Sequence, residues 1–277
     1  MSYPIQGDDP NNATYDDLYE AISGDNLLMD TFDHNGYQTV MIEAGWAGSS
    51  CGSRYDACLP SPWLDDLTFL SLWDGVVSGA VVSQWGHAYT VGSLNSMAAL
   101  RETASALETS ESPTFVFAHV VAPHPPLFLD SGCEITVSAD RLGDSTLAPG
   151  VDPAIREQFL QEQMRCVDAF MEEFADLVGP EDVIVYVADH GTDRRKHLLD
   201  AGTRDPQAII ERMNVFLAAR VGPGCELGDS VITSNLMRQI LSCYSDTPLE
   251  LLEPRVFLPG GDELSAADVS DLMSLGG

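Results

Sequence analysis

Apolar positions along the chain switch between helical spacing and short unbroken runs. Leu28, Met29 and Phe32 recur at helical spacing over Asp25–Asn35 and Gly36 follows, which predicts a helix with a glycine C-cap. Val40, Met41 and Ile42 within Tyr37–Glu43 predict a short buried strand. A Gly/Ser/Cys loop runs on to Pro62, and helix is expected over much of Trp63–Leu107. Thr114–Val121 (TFVFAHVV) is the clearest strand, rich in β-branched and aromatic residues and ended by Pro123. Residues 125–152, with Pro, Gly and Asp throughout, predict a long loop. Pro153 suits a first helical position, and Phe159, Leu160, Met164, Val167, Phe170, Met171 and Phe174 mark a helix over Ile155–Val178. Asp182–Ala188 (DVIVYVA) and Met213–Ala219 read as buried strands, and Ser234–Tyr244 as a last helix. Continuous apolar strands alternating with helices predict an α/β fold, with a mainly parallel sheet covered by helices on both faces.

Composition narrows the picture. The 277 residues suffice for one large α/β domain or two small ones, and 44% hydrophobic with 20% charged residues describes a globular chain. The expected division is a leading segment 1–24, an α/β domain 25–258 and an acidic, loosely held tail 259–277. Acidic residues number 43 against 13 basic ones, with Lys196 the single lysine and a formal net charge of -30. Such a chain repels nucleic acid and anionic lipid, so no nucleic-acid partner is expected. The charge is spread along the sequence, which describes a strongly solvated surface suited to high salt. Leu67–Trp85 is the most apolar stretch, but Asp74 and small residues interrupt it, as in a core helix rather than a membrane span. The opening MSYPIQGDDPNN is polar and is not a signal peptide.

Six cysteines stand at 51, 58, 133, 166, 225 and 243, with no CxxC spacing of the zinc-site kind. The favoured reading is three disulfides, 51–58, 133–166 and 225–243, in an exported domain whose signal lies upstream of Met1. Buried free thiols in a cytosolic protein are the alternative.

Chemistry in open parallel sheets gathers just beyond the carboxyl ends of strands. After DVIVYVA come Asp189, His190 and Gly191, a carboxylate and an imidazole side by side, with a glycine that lets the backbone bend. Such a pair is more often a hydrogen-bonded turn than a metal site. After TFVFAHVV, His124 sits in a proline-bracketed loop (Ala122-Pro123-His124-Pro125-Pro126), where the prolines lower the cost of ordering it. A structural histidine is the plainer alternative. His119 shares a strand face with Phe115 and Phe117 and reads as a core histidine.

Together these segments resemble a known family. FVFAHVVAPHPPLFLD, followed further along by VIVYVADHG, is similar to the C-terminal half of sulfatase-like proteins of the alkaline phosphatase superfamily. That superfamily includes the lipoteichoic acid synthase group, and the likeness is strongest to bacterial membrane proteins with an exported sulfatase-like domain. DTFDHNGYQTVMIEAGW, RMNVFLAARVGPG and SNLMRQILSCY extend the likeness over roughly 25–258. The resemblance implies an alkaline phosphatase-like fold in which Asp189 and His190 hold a divalent metal ion (manganese, zinc, magnesium or calcium). It implies that His124 contacts the transferred or leaving group, in a cleft shared with Asp189 and His190. Arg194 or Arg195 would then bind oxygens of a sulfate or phosphate ester substrate. It also implies a membrane-anchored protein with this domain outside the cytoplasm. The family's first strand and its Ser, Thr or formylglycine nucleophile find no counterpart: Cys51 precedes Gly-Ser-Arg and Cys58 precedes Leu-Pro-Ser, neither a CxPxR signature. The expectation is therefore an N-terminally truncated chain lacking its first strand, marginal in stability and inactive alone. A non-catalytic binding domain on the same fold is the second reading, and an unrelated acidic secreted α/β protein the third.

Overall fold

The computed structural model describes residues 20–21, 23–44, 51–59, 81–136, 152–192, 205–228, 232–245, 248–259 and 266–273. They fall into two compact units, Tyr19–Gly179 and Pro180–Gly277.

In the first unit, Asn26 opens helix α1 (Leu27–His34), its side chain accepting a hydrogen bond from the Met29 amide at 3.0 Å. Gly36, at φ +75°, turns the chain into strand β1 (Gln38–Ile42). The Phe32 ring of α1 stacks on Phe115, with centroids 4.1 Å apart. Strand β1 lies at the centre of a three-stranded sheet, flanked by β2 (Ala57–Leu59) and β3 (Thr114–Ala118), with both pairings parallel. Met41 and Ile42 are buried, as the apolar run requires. Strand β2 lies inside the stretch read as loop. Three residues are too few to show a period, and β2 is located by contacts the sequence does not display. Asp56 accepts from both the Thr39 amide (2.8 Å) and the Thr39 hydroxyl (3.0 Å). Arg54 pairs with Asp30 on α1.

Helix α2 (Val81–Leu107) lies within the region expected to be helical, whose earlier part, 63–80, is outside the described residues. Helix α3 (Pro153–Leu177) starts at Pro153 as expected, capped by Asp152. Its buried stripe runs through Gln163, Cys166 and Phe170, one face at helical spacing, whereas Met164 is exposed. Met97 of α2, Cys166 and Phe170 of α3, and Ala122 and Leu129 from the loop after β3 form the core between these helices. Cys133 and Cys166 are bonded across it, with Cα atoms 5.0 Å apart, and Cys51 pairs with Cys58. The loop after β3 is described as far as residue 136 and contains a bridge between Leu129 and Ile135.

In the second unit, strand β4 (Ile184–Val187) pairs with β5 (Leu217–Arg220). The pairing is antiparallel, which corrects the expectation of a mainly parallel sheet for this unit: the chain leaves β4, passes along a short helix and comes back in the opposite direction. That helix, α4 (Pro206–Met213), also shortens the strand expected over 213–219. Asp205 caps it through the Ala208 amide (2.8 Å), and Pro206 opens it. Helix α5 (Thr233–Tyr244) buries Leu236 and Ile240. Asn235 uses both ends of its amide on the Leu252 backbone, at 2.9 and 2.8 Å. Cys225 and Cys243 form the third bonded pair. Part of the tail read as loose takes up structure: β6 (Phe257–Pro259) pairs antiparallel with β7 (Ala266–Asp268), and a turn of helix, α6 (Ser270–Met273), follows. Val269 there is buried against Ile209 of α4. The observed class is α/β, with a parallel three-stranded sheet in the first unit.

Candidate functional site

The Asp189-His190-Gly191 turn leaves β4 as the sequence anticipates, and α4 holds it. The Ala188 amide still donates to Phe216 O (3.0 Å) beside β5. The Gly191 and Thr192 amides then donate to Arg212 O (2.7 Å) and Glu211 O (3.2 Å), carbonyls at the C-terminal end of α4. A β-carbon at Gly191 would lie 2.0 Å from Glu211 O and 2.7 Å from Asn214 O. Glycine is thus needed for close approach to this helix end; its φ is not in the left-handed region, so bending is not the reason.

The two side chains meet across this turn. His190 Nε2 and Asp189 Oδ2 are 3.7 Å apart, with the histidine about three-quarters buried and the carboxylate 88% exposed. Ligand atoms bound at about 2.0–2.2 Å to one ion lie roughly 3–4 Å from each other, so this spacing fits a shared metal. On its other side, the His190 Nδ1 is 2.7 Å from Gly191 O and 2.6 Å from an Arg212 guanidinium nitrogen. One ring nitrogen serves one of these neighbours at a time. As a donor to Gly191 O it leaves Nε2 bare toward Asp189, the tautomer a metal requires. As an acceptor from Arg212 it places the proton on Nε2. Arg212 was not anticipated. Its signal was present in Asp205-Pro206 followed by Ile209, Ile210 and Met213 at helical spacing, a capped helix directly ahead of a strand. Arg194 and Arg195 lie outside the described residues.

His124 belongs to the first unit. The loop carrying it has cis peptides at Ala122-Pro123 and Pro125-Pro126. Its ring is exposed, with Nδ1 against Pro125 O, while its backbone is tied inward. The His124 amide donates to Val121 O (2.9 Å), and the buried Ser93 hydroxyl of α2 accepts from the Ala122 amide (3.0 Å). Beneath the His124 loop, Thr90, Ser93, Ala122, Pro126 and Gln163 surround a gap too small to hold a water molecule. His119, one residue past β3, is half-buried, and its amide extends the ladder to Ile42 O (3.0 Å).

Among the described residues of the first unit, one other group brings potential metal ligands together. Glu43, at the carboxyl end of β1, lies beside Cys51 and Cys58 and accepts from the Cys51 amide (3.4 Å). The two sulfurs are bonded to each other, and metal binding by cysteine needs a thiolate, so Glu43 is the sole ionic ligand of that group. In the second unit, burial raises the Tyr186 phenol on β4 above its ordinary range, partly offset by Arg220. No helix among the described residues is long and apolar enough to cross a membrane. No protein-family model, curated protein or solved structure matches the chain.

Proposed function

We propose that this chain carries the metal-binding turn of a metal-dependent hydrolase or transferase acting on sulfate or phosphate esters, on an alkaline phosphatase-like fold. The observation that carries this reading is the 3.7 Å approach of Asp189 Oδ2 to His190 Nε2, beside a backbone carbonyl placed to orient the ring. Carboxylate oxygen with imidazole nitrogen is a donor set suited to manganese or zinc, and magnesium or calcium would lean on the oxygen. A divalent ion there would neutralise charge on the ester oxygens. His124, exposed on its proline-bracketed loop, is the residue assigned to the transferred or leaving group, as a proton donor or hydrogen-bonding contact. Arg194 and Arg195 are assigned to the ester's anionic oxygens. Three bonded cysteine pairs support an oxidising compartment, and so a domain outside the cytoplasm; the resemblance alone carries the proposal that the protein is membrane-anchored.

A specific observation favours a second reading. The Arg212 guanidinium lies 2.6 Å from His190 Nδ1, and donating there it would favour the tautomer that does not ligate metal, as in a binding domain that retains the fold without the chemistry. Calorimetric titration with manganese, zinc and magnesium separates the two. The enzyme reading expects binding by the wild type that is lost in Asp189→Ala; a wild type that binds none of the three leaves the non-catalytic reading.

A further inference from the structure

Helix α3 turns an apolar stripe toward the core, and Cys166 and Phe170 on it are 0% and 4% exposed. Gln163 lies on the same stripe at 2% exposure. Packing alone would favour leucine or methionine here, because a buried primary amide costs free energy unless both ends are hydrogen-bonded. Both ends are. Oε1 accepts from the Leu129 amide at 3.1 Å, and Nε2 donates to the His124 carbonyl at 3.2 Å.

These partners straddle Pro125 and Pro126, two positions with no amide hydrogen to donate. His124 is held at both of its backbone polar groups, its N–H by Val121 O and its C=O by Gln163. We infer that Gln163 is a positioning residue for His124, fixing the backbone that sets where the exposed imidazole stands. The inference rests on His124 acting as the anion contact proposed above.

Gln163→Glu is the incisive variant. Ionised, its carboxylate still accepts from the Leu129 amide but sets an oxygen against the His124 carbonyl, so this variant is read at a pH high enough to ionise a buried carboxyl. Gln163→Leu removes both bonds. Phe174→Leu, on the same helix and packed against the same core, is the control for general loosening. The readouts are the His124 ring cross-peak in histidine-labelled protein and the affinity for inorganic phosphate in the presence of manganese. Both Gln163 variants are expected to move the cross-peak and weaken phosphate binding about tenfold, the factor for roughly 1.4 kcal/mol. Phe174→Leu is expected to lower the melting temperature while leaving both readouts in place. A His124 cross-peak unchanged in Gln163→Glu, or moved equally by Phe174→Leu, overturns the inference. So does wild-type phosphate affinity in Gln163→Glu. If the wild type binds no phosphate but the cross-peak still moves only in the Gln163 variants, positioning stands and the functional reading of His124 fails.

Discussion

Replacing Gly191 by alanine adds one methyl group at the point where the Asp-His turn meets the end of α4. The new carbon would lie 2.0 Å from Glu211 O, 2.7 Å from Asn214 O and 3.1 Å from Arg212 O, all of them backbone oxygens that no rotamer change can move. Relief requires the turn and the helix end to part by more than about 1 Å, since carbon and oxygen normally stay roughly 3.3 Å apart. That separation breaks the Gly191–Arg212 and Thr192–Glu211 hydrogen bonds, each with a net worth of about 1 kcal/mol. Adding the usual cost of overpacking, roughly 1–3 kcal/mol, gives a destabilisation of about 3–5 kcal/mol. In a melting experiment this corresponds to a fall of roughly 6–20 °C. The assay is thermal and urea unfolding followed by circular dichroism, with manganese titration on the same samples. Metal affinity should fall with stability, because the clash separates the backbone that aims His190. An alanine variant that melts within about 1 °C of the wild type and binds metal equally would show that the turn does not press on α4.

Two further outcomes follow from the first unit. The Cys133–Cys166 bond closes a loop of sequence separation 33, and its sulfur at Cys166 is fully buried. Cys133→Ala/Cys166→Ala should lose roughly 3–4 kcal/mol through greater freedom of the unfolded chain, read as a lower urea midpoint that reductant does not lower further through this pair. Arg101 of α2 donates to both carboxylate oxygens of Glu173 on α3, at 2.8 and 2.5 Å, and its guanidinium lies over the Phe170 ring. The hydrogen bond from Arg101 holds the Glu173 carboxyl below its ordinary range. A depressed carboxyl pKa contributes stability that is present above the ordinary glutamate value and is lost as pH falls through the folded one. The melting-temperature gap between wild type and Arg101→Met should therefore shrink as pH is lowered from neutrality past about 4. A gap that stays constant across that range would assign the pair's contribution to packing on Phe170.

Elements with a strong local signal were legible before any fold was known. Gly36, Pro153 and the apolar runs at β1, β3 and β4 each act within one turn or one strand, so their physics is contained in neighbouring residues. The disulfide partners were also anticipated, and the bonded pairs are 51–58, 133–166 and 225–243. The Asp189-His190-Gly191 turn and the proline-bracketed His124 were picked out as candidates for chemistry from their places after apolar strands. Helix α4 was not anticipated, although its Asp205-Pro206 cap is a local signal.

Tertiary structure alone decided the rest. Strand β2 exists because Asp56 binds Thr39, a contact across 17 positions that no local pattern announces. The antiparallel pairing of β4 with β5 depends on the path taken between them, which the composition of the strands does not encode. Gly191 was expected for its flexibility, but its role comes from the carbonyls of a helix that begins fifteen residues later. Gln163 drew no attention as one polar residue on α3, and the fold sets it between the Leu129 amide and the His124 carbonyl of another segment. Propensity and periodicity record what a residue does to its neighbours in the chain; partners far along the sequence are brought together only by folding, and so are the constraints they impose.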